Sequence, residues 1–141
     1  IFDLPLAGKV FVSVRDEDKA AFTAICRDLV GLGFEILATG GTTDALTAAG
    51  VPARRINKVM EGRPHAVDAM LSGDIQIVFN TAMGAASMQD SFSLRHTALT
   101  NKIPYYTTVS GSRAATQAIR ALQQGDLGVR TLQDFLSDIA S

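Results

Sequence analysis

The chain has 141 residues, a length expected to form one domain that buries roughly two thirds of its unfolded surface. A net charge of −1 with only 19% charged residues supplies no basic field, so neither nucleic acid nor a membrane surface is an expected partner. Cys26 stands alone, which excludes an internal disulfide, and no apolar run reaches transmembrane length, so a soluble cytoplasmic domain is expected.

Ile1 to Leu6 reads as a connector, giving residues 1–8 as a link from a preceding domain and 9–141 as the domain itself. Lys9 to Val14 is β-rich and suits a buried first strand. Asp16 is a natural N-cap for a helix whose Phe22, Ile25, Cys26, Leu29 and Leu32 form one apolar stripe. Gly31 and Gly33 stop that helix, and Phe34 to Ala38 is the second strand. Thr39-Gly40-Gly41-Thr42 follows as a tight turn into a helix over Thr43 to Ala49, closed by Gly50 and Pro52.

Ala53 to Ile56 is a poorly apolar third strand fit for a sheet edge, and Asn57 to Pro64 is a polar loop. His65 to Leu71 is a short helix closed by Ser72-Gly73, and Ile75 to Phe79 is the clearest strand, ending at Asn80-Thr81. Ala82 to Gln89 reads as a loop, Ser91 to Asn101 as a helix, and Ile103 to Thr108 as a fifth strand. Ser110 to Gln123 is a core helix with Ala114, Ala118, Ile119 and Leu122 inward, and Leu132 to Ile139 is a smaller terminal helix. Strict alternation of strand and helix predicts a three-layer α/β/α sandwich around a five-stranded, mostly parallel sheet, Rossmann- or flavodoxin-like.

In such sheets ligands sit outside the carboxyl ends of the strands. Ser13 and Lys19 follow the first strand, Thr39 to Thr42 the second, Asn57 and Lys58 the third, Asn80 and Thr81 the fourth, and Thr107 and Thr108 the fifth. Cations, amides and hydroxyls with few acids suit a phosphorylated, sugar-bearing ligand. The glycine turn at a helix start favours an anion. Lys19 in a first turn opposes the helix dipole by up to about 1 kcal/mol, and a residue that breaks a local rule is a functional candidate. His65 and His96 lack the companions of a metal site, Glu61 and Asp68 read as ion-pair or surface acids, and Tyr105-Tyr106 as strand packing. No nucleophile with a base and an orienting group can be assembled from the spacing. The pattern is that of a domain that binds.

These segments resemble the methylglyoxal-synthase-like domain family, most closely the regulatory domain at the C-terminus of carbamoyl phosphate synthetase large subunits. The matching stretches are Phe11 to Lys19, Ala38 to Thr42, Asn57 to His65, Asn80-Thr81 and Tyr106 to Thr108, with Asn57-Lys58-Val59-Met60-Glu61-Gly62-Arg63-Pro64-His65 the most specific. The resemblance implies a non-catalytic domain that takes allosteric nucleotides, UMP as inhibitor and IMP as activator in bacterial enzymes. It implies that Lys19, Thr39, Gly41, Thr42 and Lys58 hold the effector phosphate and that Ser13, Asn80 and Thr81 line the pocket. Thr107 matches a threonine that in some members contacts ornithine. Ala82 departs from a common threonine and Gly40 stands where a histidine can occur, which touches effector identity.

The resemblance implies no cofactor in this domain. For the parent enzyme it implies ATP, Mg or Mn, and K, a small glutaminase subunit, and the remaining synthetase domains of the same chain. A homo-oligomer is left open. The alternative within the fold is methylglyoxal synthase, a phosphate lyase on dihydroxyacetone phosphate. It carries a catalytic Asp in a Gly-Pro-x-Gly-Gly-Asp loop, where this chain has Asn57 to His65 with Glu61 the sole acid. A purine-pathway cyclohydrolase shares the Thr-Gly-Gly-Thr turn but needs a Lys-Thr-Leu-His-Pro segment that is absent here.

Overall fold

A computed structural model describes residues 4–57, 65–81 and 85–124, with side chains omitted over 85–90. The expected terminal helix over 132–139, together with Lys58, Glu61 and Ala82, lies outside the described residues.

The order is β1 (Lys9–Ser13), a 3-10 turn (Asp16–Asp18), α1 (Lys19–Gly31), β2 (Glu35–Ala38), α2 (Gly40–Ala48), β3 (Arg54–Arg55), α3 (Ala66–Leu71), β4 (Ile77–Asn80), α4 (Ala85–Thr100), β5 (Tyr105–Tyr106) and α5 (Val109–Gln123). All neighbouring strands pair in parallel, in the spatial order β3-β2-β1-β4-β5. Helical crossovers between parallel strands leave helices on both faces, so the central strands are apolar without interruption.

β1 shows how the period of two divides the core. Val10, Val12 and Val14 join Phe22 and Leu29 of α1, Leu46 of α2 and Ile119 of α5 on one face. Phe11 points the other way, to Met70 of α3 and to Leu94 and Ala98 of α4. Three layers result, as predicted. Phe79 of β4 anchors the first face, its ring 5.9 Å from Phe22 and 5.8 Å from Tyr106. Cys26 is buried in the α1 stripe, and desolvation pushes its thiol up to about 12.

Several boundaries differ from the sequence reading, each for a local reason. Asp16 does not cap α1: it opens a 3-10 turn, and its carboxylate takes the Lys19 ammonium at 2.5 Å. α2 begins at Gly40 rather than Thr43, so both glycines are helical and neither has positive φ. β3 and β5 are two residues each; past β5 the backbone of Thr108 is still extended, but its side chain caps α5, accepting from the Gly111 N–H at 3.0 Å. β4 runs Ile77–Asn80, two residues later than expected at its start, and α4 starts at Ala85, inside the expected loop. On α5 the buried face is Ser112, Ala115, Thr116, Ala118 and Ile119, while Ala114 and Leu122 are only half-buried.

α3 and α4 close alike at their C-termini. The amide of Asp74 donates to the Ala69 carbonyl at 2.8 Å, and that of Ile103 to Ala98 at 2.8 Å. This wrap requires a left-handed residue just past the helix. Gly73 supplies it at φ +80°, but after α4 the position is Lys102 at φ +57°.

Candidate functional site

The sheet order reverses at β1, which pairs with β2 on one side and β4 on the other. Such a switch opens a crevice at the carboxyl ends of the two central strands. Ser13 ends β1 there and Asn80 ends β4, paired in register.

The chain leaving β1 is tied to three threonines of the crevice. The Thr39 hydroxyl donates to Ser13 Oγ at 3.3 Å. Thr42 Oγ1 accepts the Val14 N–H at 3.2 Å, and Thr81 Oγ1 accepts the Arg15 N–H at 3.2 Å. Ser13, Thr39, Thr42 and Thr81 are each no more than 6% exposed. A hydroxyl that accepts a backbone N–H still has its own proton to give. Thr42 and Thr81 are therefore held as donors, which selects for an acceptor-rich ligand.

The two glycines of α2 have a steric purpose that differs from the expected turn. A Cβ on Gly41 would stand 3.3 Å from Lys19 Nζ, and one on Gly40 would stand 3.3 Å from the Arg55 guanidinium carbon. The missing side chains thus let two cationic heads approach the first turn of α2. Thr39 occupies the N-cap position, but its hydroxyl is turned to Ser13 and makes no capping hydrogen bond. Uncapped N–H groups, the positive end of the dipole and two cations converge on one place. That is the composition of an anion site.

Lys19 meets Asp16 from the other direction. Hydrogen bonding and charge from Lys19 hold the Asp16 carboxyl below its ordinary range. Asp16 is almost fully exposed, its side chain at 86%, so the pair is weak and easily exchanged for a bound anion.

Asn80 and Thr107 belong to a neighbouring cleft of about 550 Å³, shared with Thr81, Arg15, Arg95 and Tyr105. Asn80 Nδ2 donates to the Tyr105 hydroxyl at 2.7 Å and to Ser91 Oγ at 3.0 Å, which fixes the amide at the cleft wall. Arg95 lies over the Tyr105 ring, 5.6 Å from its centre. Asp18, buried, receives Arg15 Nε at 2.8 Å on the same wall.

The predicted residues thus fall into two groups. Ser13, Lys19, Thr39, Gly41 and Thr42 surround the start of α2, while Asn80 and Thr107 line the cleft, and Thr81 with Arg15 joins the two. Lys58 is outside the described residues, but Asn57 and His65 at the ends of its loop are paired by a parallel bridge. His65 caps α3, its Nδ1 accepting from Asp68 N at 3.3 Å while Asp68 Oδ2 accepts from His65 N at 3.1 Å. Asp68 is therefore a capping partner rather than a plain surface acid. Sequence reasoning missed Arg55, Arg95 and the cleft role of Tyr105. Arg55 was legible in principle, since it sits at the carboxyl end of a strand.

Comparison with known proteins bears on this geometry. The family model described as an MGS-like domain matches residues 21–107. The chain is 52% identical over 135 residues, 96% of its length, to the carbamoyl phosphate synthase large chain of Mesorhizobium japonicum, of which it spans 12%. It is 50% identical over 133 residues, 94% of its length, to the carbamoyl phosphate synthase large chain of Brucella suis, of which it spans 11%. The chain therefore corresponds to only a small part of these relatives. A solved structure of methylglyoxal synthase from Elizabethkingia anophelis aligns with a TM-score of 0.59 at 16% identity, covering 77% of this chain and 76% of that one, a likeness of fold. With a matching family model over most of the chain and the matching five-stranded parallel fold, the chain belongs to the methylglyoxal-synthase-like domain family.

Proposed function

We propose that this chain is the effector-binding regulatory domain of a carbamoyl phosphate synthase large chain and that it binds a nucleoside monophosphate of the UMP or IMP type. The observation that carries the reading is the start of α2, where Gly40 and Gly41 admit Arg55 and Lys19 to an uncapped helix terminus. The phosphate sits there, with Thr39 and Thr42 beside it; Lys58, which the family resemblance adds to the phosphate-binding set, lies outside the described residues. The nucleoside extends over Ser13 toward Asn80 and Thr81. Ornithine, where it acts, is placed at Thr107.

The domain carries no chemistry of its own in this reading. The parent chain would make carbamoyl phosphate from bicarbonate, ATP and glutamine-derived ammonia, using Mg or Mn and K, with a glutaminase subunit as partner. An effector alters that activity only by binding one state of the enzyme more tightly, commonly by 1 to 3 kcal/mol. The reading is supported by identity near 50% to large chains over nearly the whole of this domain.

Calorimetry with UMP, IMP, ornithine and dihydroxyacetone phosphate tests it. Micromolar to millimolar binding of UMP or IMP is expected, with no methylglyoxal formed from dihydroxyacetone phosphate. Binding of neither nucleotide sinks the regulatory reading, and methylglyoxal production moves the chain to the lyases.

A further inference from the structure

The cleft of about 550 Å³ is walled by hydroxyls whose acceptor side is already engaged. Thr81 Oγ1 takes the Arg15 N–H, and Thr108 Oγ1 takes the Gly111 N–H. Asn80 Nδ2 donates both to Ser91 Oγ and to the Tyr105 hydroxyl. A hydroxyl that accepts one hydrogen bond still has its own proton to give, so each of these four meets a ligand as a donor. Both arginines of the cleft are donors only, and the acid beside them, Asp18, already receives Arg15 Nε at 2.8 Å. A ligand that enters must bring acceptors, because a further donor would be buried without a partner.

Arg95 gives this wall its oriented charge. Its guanidinium lies over the Tyr105 ring, 5.6 Å from the centre, a cation–π contact that holds the planar fork in place. Tyr105 is fixed in turn by Asn80 at 2.7 Å. Arg15 is committed otherwise, to Asp18 at 2.8 Å and Glu17 at 3.5 Å. Among the described residues no carboxylate pairs with Arg95, so its N–H groups serve the cleft.

The cleft begins one peptide step from the anion site. The Val14 N–H goes to Thr42 and the Arg15 N–H to Thr81, each at 3.2 Å. Successive Cα atoms are about 3.8 Å apart, so a nucleotide with its phosphate beside Thr42 spans the step with its ribose and delivers its base at Thr81.

We infer that Arg95 determines base specificity, and that the cleft selects a nucleobase with a carbonyl oxygen where its rivals carry an exocyclic amine. This rests on the nucleotide reading proposed above. Uracil O4 and hypoxanthine O6 meet the guanidinium as acceptors, whereas the amines of cytosine and adenine meet it donor against donor.

Titration calorimetry of the chain with UMP, CMP, IMP and AMP tests this, because phosphate and ribose are the same in all four. UMP is expected to bind about tenfold or more tighter than CMP, and IMP likewise tighter than AMP. Arg95→Met keeps an apolar stem against Tyr105. It should weaken UMP and IMP about tenfold and leave CMP and AMP within about twofold, so that both ratios collapse. Arg95→Gln can turn an amide oxygen to the base; it should narrow the ratios as well, and it carries the test if the methionine variant does not fold. CMP equal to UMP, with AMP equal to IMP, overturns the inference while the nucleotide reading stands. Discrimination that survives intact in both variants overturns the role of Arg95. Binding of no nucleotide removes the nucleotide reading and this inference together.

Discussion

Gly41→Ala separates a glycine that serves the backbone from one that serves a ligand. Gly41 lies in the first turn of α2, is exposed, and does not have positive φ. On the backbone alone, alanine reduces the freedom of the unfolded chain and should stabilise the domain by about 0.5 to 1 kcal/mol. For a chain of this size that is a rise of roughly 2 to 4 °C in Tm. The new Cβ meets one neighbour, Lys19 Nζ at 3.3 Å. A flexible ammonium retreats at little expense to folding but leaves the helix terminus. Loss of one charge-assisted hydrogen bond to phosphate is worth about 1.5 to 3 kcal/mol, a drop of roughly ten- to a hundredfold in nucleotide affinity. Differential scanning calorimetry and titration calorimetry on the same protein read both effects. Higher Tm with unchanged affinity would refute the role given to Lys19, and lower Tm would refute the helical account of Gly41.

Other expectations follow from the same contacts. Asp16→Asn frees Lys19 from its competitor and should tighten phosphate binding a few-fold, measured by titration at low salt. The same pair sets a pH dependence: Lys19 lowers the Asp16 pKa, so its small contribution is present above the unfolded carboxylate value and lost as pH falls through the folded one. Wild type should therefore approach Asp16→Asn in affinity as pH falls below the ordinary carboxylate range. Lys102→Gly relieves a left-handed residue after α4 and should add about 1 kcal/mol in urea unfolding. His65→Ala removes the cap of α3 and should lose about 0.5 to 2 kcal/mol, with His65→Asn recovering most of it.

The three-layer fold was legible because burial on both faces of a parallel sheet leaves strands as plain apolar runs. Val10 to Val14 and Ile77 to Phe79 are such runs, and they lie at the centre. The edge strands were legible in place but not in length, because β3 and β5 are held by two residues each and their sequences blend into loops. α4 escaped at its start since no stripe marks its first turns, and the outward placement of Phe92 and Leu99 is set by packing that a single sequence does not encode. Asp16 misled for a different reason. It has the right type for a cap, but a 3-10 turn intervenes and lets Lys19 fold back onto it.

At the site, the residues around Thr39 to Thr42 were legible from chemistry, whereas the reason for the glycines was not. Nothing in sequence spacing states that Arg55 of an edge strand and Lys19 of another helix meet at one terminus. That meeting is a product of the parallel register, in which Ala38 lies beside Arg55. Asn80 was found, but its partner Tyr105 was read as packing because strand aromatics usually are.

The central claim is that the start of α2 holds the phosphate of a nucleotide. Titration calorimetry of the chain with UMP and IMP beside uridine and inosine tests it most directly. The account predicts micromolar to millimolar binding of at least one monophosphate and binding at least tenfold weaker for its nucleoside. Equal affinity for nucleoside and nucleotide, or no binding of either, would contradict it.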